Sequence, residues 1–511
     1  MHATYNAATD MVDRHLAEGR GGKVAFIDAA GSLTYGALAA GCNRFANMLG
    51  AFGIGREMRL ALLLHDTRDF PIAFWGAVKA GVVPVALNTP LTSEQYAYIL
   101  ADSRARALVV SAPLLPVVQP ILGQLPFLTH IFVAGGAAPS FALDLETELA
   151  SQLPVFEPVA TSPDETAFWL YSSGSTGAPK GVRHVHTSPL ATARLYGEGV
   201  LRINEDDVCF SAAKLFFAYG LGNGMSFPMS VGATTVLLAE RPTPESVFRS
   251  LRQHRPTLYF GVPTLYAAML AVDEGAPAEL AGLRACVSAG EALPAEVGEA
   301  WKRRFGVDIL DGVGSTEMLH IYVSNRPGDI RYGTSGKPVA GYRVRLVGED
   351  GGPVATGEVG EMVVSGPSAA EGYWNQRDKS RRTFEGEWMR TGDKYVEDAG
   401  GYYTYQGRTD DMFKVSGIWV SPFEVESALV AHPAVLEAAV VPREDADGLL
   451  KPRAVVVLKP GVEARDSLVP ALQEHVKVKA GPWKYPRWVE FADALPKTAT
   501  GKIQRFKLRQ D

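Results

Sequence analysis

Short apolar runs that alternate with helical stretches are what most restrict the fold of this chain. Met58-Arg-Leu-Ala-Leu-Leu-Leu64 reads as a buried strand, Phe70 to Ala80 as a helix, and Val82-Val-Pro-Val-Ala-Leu87 as the next strand. Ala107-Leu-Val-Val-Ser111 and Thr129-His-Ile-Phe-Val133 repeat the pattern. It resumes at Thr234-Thr-Val-Leu-Leu238, Thr257-Leu-Tyr-Phe260 and Ala285-Cys-Val-Ser288. Continuous apolar runs of strand length are buried on both faces, and strands joined through helices form parallel, doubly wound α/β sheets. From Gly341 the texture changes. Tyr342-Arg-Val-Arg-Leu-Val347, Gly360-Glu-Met-Val-Val364 and Gly401-Tyr-Tyr-Thr-Tyr405 cluster strand formers between glycine-rich turns, as antiparallel strands do. After Asp410 a separate α+β unit is expected: helices over Phe423 to Val430 and Leu468 to Ala480, strands over Glu437 to Val441 and Ala454 to Leu458.

Composition removes several classes of function. A chain of 511 residues with 47% hydrophobic content can bury a large core, so disorder is not its main state. The net charge of −6 supplies no global field for nucleic acid. No stretch approaches about 20 uninterrupted apolar residues, so no membrane span is expected. Met1 to Arg20 carries Asp10, Asp13 and Glu18 and lacks the apolar segment of a secretory signal. Cys42, Cys209 and Cys286 are widely spaced and form no CxxC or Cys/His cluster, which argues against disulfides and zinc and for a cytoplasmic protein. The 52 glycines and 33 prolines exceed the usual shares of roughly 7% and 5%, so the chemistry is sought on loops.

The densest such loop is Tyr171-Ser-Ser-Gly-Ser-Thr-Gly-Ala-Pro-Lys-Gly-Val182. Ser172, Ser173, Gly174, Ser175, Thr176 and Gly177 offer hydroxyls and bare backbone N–H groups, which suit phosphate oxygens. Lys180 adds a point charge. Its glycine spacing is not that of a Walker A loop, and Lys180 precedes Gly181 rather than Ser or Thr.

This segment resembles the phosphate loop of the acyl-adenylate-forming (AMP-binding) enzymes: acyl- and aryl-CoA synthetases, peptide-synthetase adenylation domains and beetle luciferases. Five further segments resemble family motifs in order: Ser288-Ala-Gly-Glu-Ala-Leu-Pro294, Asp311-Gly-Val-Gly-Ser-Thr-Glu317, Arg390-Thr-Gly-Asp393, Gly407-Arg-Thr-Asp-Asp411 with Phe413-Lys-Val-Ser-Gly417, and Pro496-Lys-Thr-Ala-Thr-Gly-Lys502. The resemblance implies a large N-terminal domain over 1–409, built of parallel α/β sheets plus a distorted antiparallel β-barrel. It also implies a small mobile α+β domain over 410–511 and an ATP site between the two.

The resemblance assigns Gly290, Glu291, Ala292, Asp311, Gly312, Val313 and Ser315 to the nucleotide, with Val313 standing where the family usually carries Tyr. Thr316 is expected to donate to the α-phosphate. Glu317, the one acid beside a neutral Gly/Ser/Thr run, is expected to partner Mg²⁺. The Asp393 carboxylate can accept both hydrogens of a ribose diol, or is simply a β-turn aspartate. Arg408 is expected at the ribose or phosphate, or in an interdomain salt bridge. Lys502 is expected between carboxylate and α-phosphate during adenylation, where charge spreads over oxygens. Asp410 matches the family hinge, and rotation there would withdraw Lys502 and bring Lys414, Ser416, Gly417 and Trp419 toward coenzyme A.

Lys214-Leu-Phe-Phe-Ala-Tyr-Gly-Leu-Gly-Asn-Gly224 is expected to start the helix lining the acyl pocket. Amino-acid-activating relatives carry Asp directly after the Phe; here Ala218 follows Phe217, and nothing there would neutralise an ammonium. Tyr219, with Phe216 or Phe217, suits a flat apolar ring or belongs to the core. Gly220, Gly314, His320 and Ile321 complete the expected pocket, His320 bonding the carboxylate or a ring substituent or serving a structural role. These segments most resemble benzoate-type CoA ligases. The expected activity is an AMP-forming acid–thiol ligase using ATP, Mg²⁺, coenzyme A and a small aromatic carboxylic acid, with a homodimer left open. Two alternatives stand beside it: a free-standing enzyme that loads an aryl acid onto a carrier protein, and a non-catalytic nucleotide-binding protein of the same fold.

Overall fold

The computed structural model describes residues 4–172, 178–272, 280–409, 411–415, 418–446, 449–481, 484–497 and 503–509. Two large sheets and one smaller sheet make the N-terminal body. In the first, the strands run Gly372–Tyr373, Lys180–Val185, Thr166–Ser172, Val83–Ala86, Arg59–Leu63, Ala107–Ser111, His130–Ala134 and Leu143–Asp144. Its pairings are parallel from Thr166–Ser172 onward and antiparallel on the other side. Val83–Ala86 and Ala107–Ser111 are buried at every residue, as expected of strands with helices on both faces. Pro84 interrupts no ladder on the Thr166–Ser172 side, because pairing there begins at Val85.

The second sheet runs Lys337–Pro338, Ile321–Ser324, Ile309–Gly314, Ala285–Ser288, Leu258–Gly261, Val208–Ser211, Thr234–Val236, Val24–Asp28 and Gly31–Thr34. It is parallel from Ile309–Gly314 to Val24–Asp28 and closed at each end by antiparallel strands. Adjacent parallel strands end at Ser211, Gly261, Ser288 and Gly314, so the loops that follow gather at one edge. This edge, outside the carboxyl ends of parallel strands, is where open α/β sheets bind ligands.

The antiparallel texture after Gly341 is a five-stranded sheet. Arg343–Val347, Val359–Ser365, Trp388–Glu397 and Phe384–Glu385 follow one another, and Tyr403–Arg408 pairs with Trp388–Glu397. Among the described residues its hydrogen-bonded path is open, ending at Arg343–Val347. The Arg390 to Asp393 motif lies inside the ten-residue strand Trp388–Glu397, so Asp393 is a strand residue and not part of a β-turn.

The C-terminal unit has its own core. Val435–Glu444 pairs antiparallel with Leu450–Leu458, which pairs parallel with Trp488–Phe491. Helices Pro422–Val430 and Leu468–Ala480 pack with these strands around Val425, Leu429, Val440, Val456, Leu472 and Val476. Ser421 caps the first helix by accepting from the Glu424 N–H at 3.2 Å, and Pro422 occupies its first turn. Phe423 of that helix meets Tyr405 of the N-terminal sheet edge-on at 5.1 Å. The large N-terminal and small C-terminal domains are therefore both present. Among the described residues no helix is long and apolar enough to cross a membrane. Cys42, Cys209 and Cys286 are all buried and unpaired with one another.

Candidate active site

The site is organised by a tight connection between Ile309–Gly314 and Ile321–Ser324, which pair antiparallel with Gly314 opposite Ile321. Residues 315–320 form its tip. A Cβ on Gly314 would stand 2.6 Å from the His320 carbonyl oxygen, so only glycine lets the two arms come this close. Ser315 Oγ accepts from the Met318 N–H at 3.2 Å, and Leu319 takes a left-handed conformation (φ 65°) that completes the turn.

Other elements clamp this tip. His184 Nε2 lies 2.8 Å from the Thr316 carbonyl oxygen and donates to it. The Ala370 N–H donates to the Glu317 carbonyl at 2.8 Å, and Ser368 Oγ donates to that of Met318 at 2.7 Å. Burial pulls the His184 imidazole down to about 4, so it is neutral and carries its proton on Nε2. Thr316 and Glu317 are thus held by their backbones.

Glu317 meets Lys180 and Tyr373. Lys180 Nζ is 3.6 Å from Glu317 Oε1, and the Tyr373 hydroxyl donates to the same oxygen at 2.8 Å. Burial lowers the Lys180 ammonium below its ordinary range, Glu317 opposes this, and the charges of Lys379 and Arg408 lower it further. Lys180, Lys379 and Arg408 thus act on one another beside Glu317, with Arg408 paired to Asp393, and such a cluster suits a polyanion. Ser172 and Lys180 are paired across the hairpin that carries the Gly/Ser/Thr loop. Ser173, Gly174, Ser175, Thr176 and Gly177 lie outside the described residues.

Asp393 and Arg408 are opposite one another on neighbouring strands. Arg408 Nη1 donates to Asp393 Oδ1 at 3.0 Å and to the Thr391 carbonyl at 3.1 Å. The salt bridge lies within the N-terminal sheet, not between domains. Asp311 lies within strand Ile309–Gly314, opposite Ser288 at the end of the neighbouring strand, and burial pushes its carboxyl well above the usual carboxylate range. Gly290, Glu291 and Ala292 follow the neighbouring strand, with Gly290 exposed and the other two half-buried. Gly312 is packed against Ile321, and Val313 is half-buried against the core beneath.

On the far side of the tip stands an aromatic wall. Helix Ala218–Leu221 passes through a π-helical turn, Gly222–Ser226, into helix Phe227–Val231. Such turns widen the backbone and recur at functional sites. A Cβ at Gly222 would stand 2.4 Å from His320 Cδ2, so the histidine ring occupies the space of the missing side chain. His320 is 2% exposed and lies among Tyr196, Tyr219 and Phe227, with ring centroids at 5.3, 5.5 and 4.4 Å. Its Nε2 faces the Tyr219 carbonyl at 3.3 Å and Asn223 Oδ1 at 3.0 Å. A carbonyl only accepts, so Nε2 bears the proton and the unpartnered Nδ1 presents a lone pair. Burial holds the imidazole near 3, so this neutral form persists. The buried ring, bonded through Nε2 and packed among three aromatic rings, has the contacts of a structural histidine, and its Nδ1 lone pair would suit a donor group.

Tyr219 lends its ring to the wall, while its hydroxyl bonds the Gly261 and Val287 carbonyls at 3.2 and 3.1 Å. Ala218 and Phe216 are buried in the core, Phe217 packs against it, and Ile321 is buried beneath the tip. Gly220 is buried against the Lys214 carbonyl. Asp66 anchors the approach to this helix by accepting from the Leu215 N–H at 3.2 Å. In the C-terminal domain, Phe413–Val415 and Ile418–Val420 form a hairpin whose register places Lys414 opposite Trp419. The side chains of Lys414 and Trp419, and the whole of Asp410, Ser416, Gly417 and Lys502, lie outside the described residues.

Three residues that support the tip were missed in the sequence. His184 is separated from Thr316 by 132 residues and Tyr373 from Glu317 by 56, so no local pattern announces them. Asn223 sits within the acyl-helix motif, but its pairing with His320 depends on the π-helical turn.

The model of the AMP-binding enzyme family matches residues 13–374, and that of the AMP-binding enzyme C-terminal domain matches 424–502. The benzoate–CoA ligase of Thauera aromatica is 58% identical over 507 residues, covering 99% of this chain and 96% of that protein. The anthranilate CoA ligase AuaEII in complex with anthranoyl-AMP superposes with a TM-score of 0.96 at 44% identity, covering 100% of this chain and 98% of that one. A benzoate CoA ligase from Burkholderia xenovorans LB400 gives a TM-score of 0.93 at 50% identity, covering 99% and 100%. With both family models matched in order and identity sustained along its length, the chain belongs to the AMP-binding enzymes.

Proposed function

We propose that the protein is an ATP-dependent aryl-CoA ligase that converts benzoate or a substituted benzoate to its CoA thioester through an aryl-AMP intermediate. One observation carries this: a single six-residue tip brings Glu317 to Lys180 and His320 to the aromatic wall at Tyr219. A phosphate site and a flat apolar acid site thus share one connection, as joining a carboxylate to an α-phosphate requires. The relatives named above, a benzoate–CoA ligase and a ligase caught with an aryl-AMP, support the substrate class.

In the first step an aryl carboxylate oxygen attacks the α-phosphorus of ATP and pyrophosphate leaves with the electrons of the broken P–O bond. Thr316 is expected to donate to the α-phosphate, Lys180 to the departing phosphates, and Lys502 to the developing charge. Asp393, held by Arg408, is expected to accept from the ribose diol. In the second step the CoA thiolate attacks the aryl carbonyl carbon and AMP leaves. We assign that step to a rotated C-terminal domain that pivots at Asp410 and brings 414–419 to the thiol's approach. The boundary at 409/410 is part of this proposal.

Glu317 is the residue that would hold Mg²⁺. No group of three or more His, Cys, Asp or Glu side chains is placed to hold a metal among the described residues, and one carboxylate beside a phosphate corner fits an ion that arrives with the triphosphate. Bound there, Mg²⁺ neutralises phosphate charge. Three buried, unbridged cysteines support a cytoplasmic location.

The test is acid-dependent exchange of pyrophosphate into ATP over benzoate, its hydroxy and amino derivatives and medium-chain fatty acids, followed by thioester formation with CoA. Exchange with benzoates and a CoA thioester are expected. Exchange without CoA thioester would point to a carrier-protein thiol, and no exchange with any benzoate would remove the reaction.

A further inference from the structure

Tyr373 belongs to none of the motifs above, yet it touches both charged groups of the phosphate corner. Its hydroxyl donates to Glu317 Oε1 at 2.8 Å. Lys180 Nζ is 3.3 Å from that hydroxyl and 4.4 Å from the centre of the ring. The ring is 5% exposed and cannot easily move. Gly372–Tyr373 pairs with Val182 and Arg183, the Tyr373 N–H donates to Ser380 Oγ at 2.9 Å, and Phe384 packs on the ring at 5.7 Å.

We propose that Tyr373 is a positioning residue that sets the Glu317 carboxylate for a metal-bound triphosphate while parking the Lys180 ammonium on its ring face. The role rests on the adenylating activity proposed above. Lys180 and Glu317 are oppositely charged and poorly solvated. They pair at 3.6 Å, and left alone they would close further into a tight ion pair that an entering nucleotide would have to separate. Tyr373 loosens that pair from both sides. Its hydroxyl holds Oε1, and its π face gives the ammonium a second partner. Among the described residues no hydrogen bond reaches Glu317 Oε2, so that oxygen is left for the ion. When the triphosphate enters, Lys180 moves from ring and carboxylate to phosphate oxygens, while Glu317 keeps the orientation it had. No bond is made or broken at Tyr373.

The experiment is titration calorimetry of the full-length protein with α,β-methylene-ATP, once with Mg²⁺ and once with EDTA, for wild type, Tyr373→Phe and Tyr373→Leu. Tyr373→Phe keeps the ring face and loses the hydroxyl. It is expected to weaken binding of the magnesium complex about tenfold, to leave metal-free binding within about twofold, and to leave the thermal midpoint unchanged. Tyr373→Leu removes both contacts and is expected to weaken both forms. Equal binding of the magnesium complex by wild type and Tyr373→Phe would overturn the role. So would equal losses with and without metal, since a merely structural tyrosine would behave that way. If wild type binds neither form, the adenylating activity itself fails, and that result is distinct from any difference between variants.

Discussion

Asp393 and Arg408 face each other across two hydrogen-bonded strands, with Arg408 Nη1 3.0 Å from Asp393 Oδ1. The guanidinium also reaches the Thr391 carbonyl, so it ties the carboxylate to the backbone two residues before it. Arg408→Ala is expected to raise the dissociation constant for ATP about tenfold, and Arg408→Lys to fall between, since lysine keeps the charge without the planar fork. Calorimetric ATP binding checks this. Unchanged affinity in Arg408→Ala would leave the pair a structural strand contact.

Gly222→Ala should separate acid binding from nucleotide binding. The new Cβ would fall 2.4 Å from His320 Cδ2 and 2.8 Å from its Nε2, so the ring must shift. Alanine is the better helix former, so the helix itself is not weakened. Benzoate-dependent pyrophosphate exchange is expected to show a KM for benzoate raised about tenfold or more, with ATP affinity within about twofold. Parallel losses of both would mean that the helix and the tip move as one.

Stability should fall on mild acidification. Burial holds His15, His184 and His186 near 4 and His320 near 3 in the folded chain. Unfolded, each would titrate near 6.5, so the unfolded state binds more protons between those values. The stability these groups contribute is complete above about pH 6.5 and is lost as pH falls toward 4. Asp66 acts in the opposite sense: burial pushes its carboxyl up to about 6, so its contribution is present below about pH 4 and is lost as pH rises through 6. Burial raises Asp69 and Asp311 in the same sense as Asp66, and lowers His65, His254 and His432 in the same sense as the four histidines, so the lowered imidazoles remain the larger set. Denaturant midpoints are expected to be lower at pH 5 than at pH 7.5, and a flat profile would contradict neutral burial of the histidines.

Lys502→Ala should divide the two half-reactions. Lys497 and Ile503 form a bridge at the base of the segment that carries Lys502, and the Gln504 N–H donates to the Pro496 carbonyl at 2.8 Å. The segment's two ends are thus tied to one another, and Ile503 packs against Ala439, Val441 and Val455 of the C-terminal unit. Aryl-AMP formation is expected to drop about a hundredfold, while thioester formation from supplied aryl-AMP stays within a few-fold. Equal loss in both would remove the division of labour.

Much of the architecture was legible because it is written locally. Ala107–Ser111, Ala285–Ser288 and Leu468–Ala480 have the bounds that apolar runs and helical periodicity predict. The strand Trp388–Glu397 was not foreseen. Arg390-Thr-Gly-Asp393 has the composition of a turn, and Gly392 does take φ 71°, yet pairing with Val359–Ser365 and Tyr403–Arg408 carries the strand through it. The motif residues were legible as chemistry, but not the side chains that hold them. His184 reaches Thr316, and Tyr373 reaches Glu317, only once separate strands are paired. The His320 tautomer was illegible too, because it is decided by a carbonyl and an amide that a π-helical turn brings to Nε2.

The tip at 315–320 has a consequence for changing which acid the protein accepts. Its backbone is gripped by His184, Ser368 and Ala370, and its side chains meet both Lys180, through Glu317, and the aromatic wall, through His320. A substitution at His320 that reshapes the aromatic wall will disturb Thr316 and Glu317 through only a few intervening bonds. Helix 218–231 carries no such double duty. Redesign should treat the helix as the adjustable jaw of a vice and the tip as its fixed one.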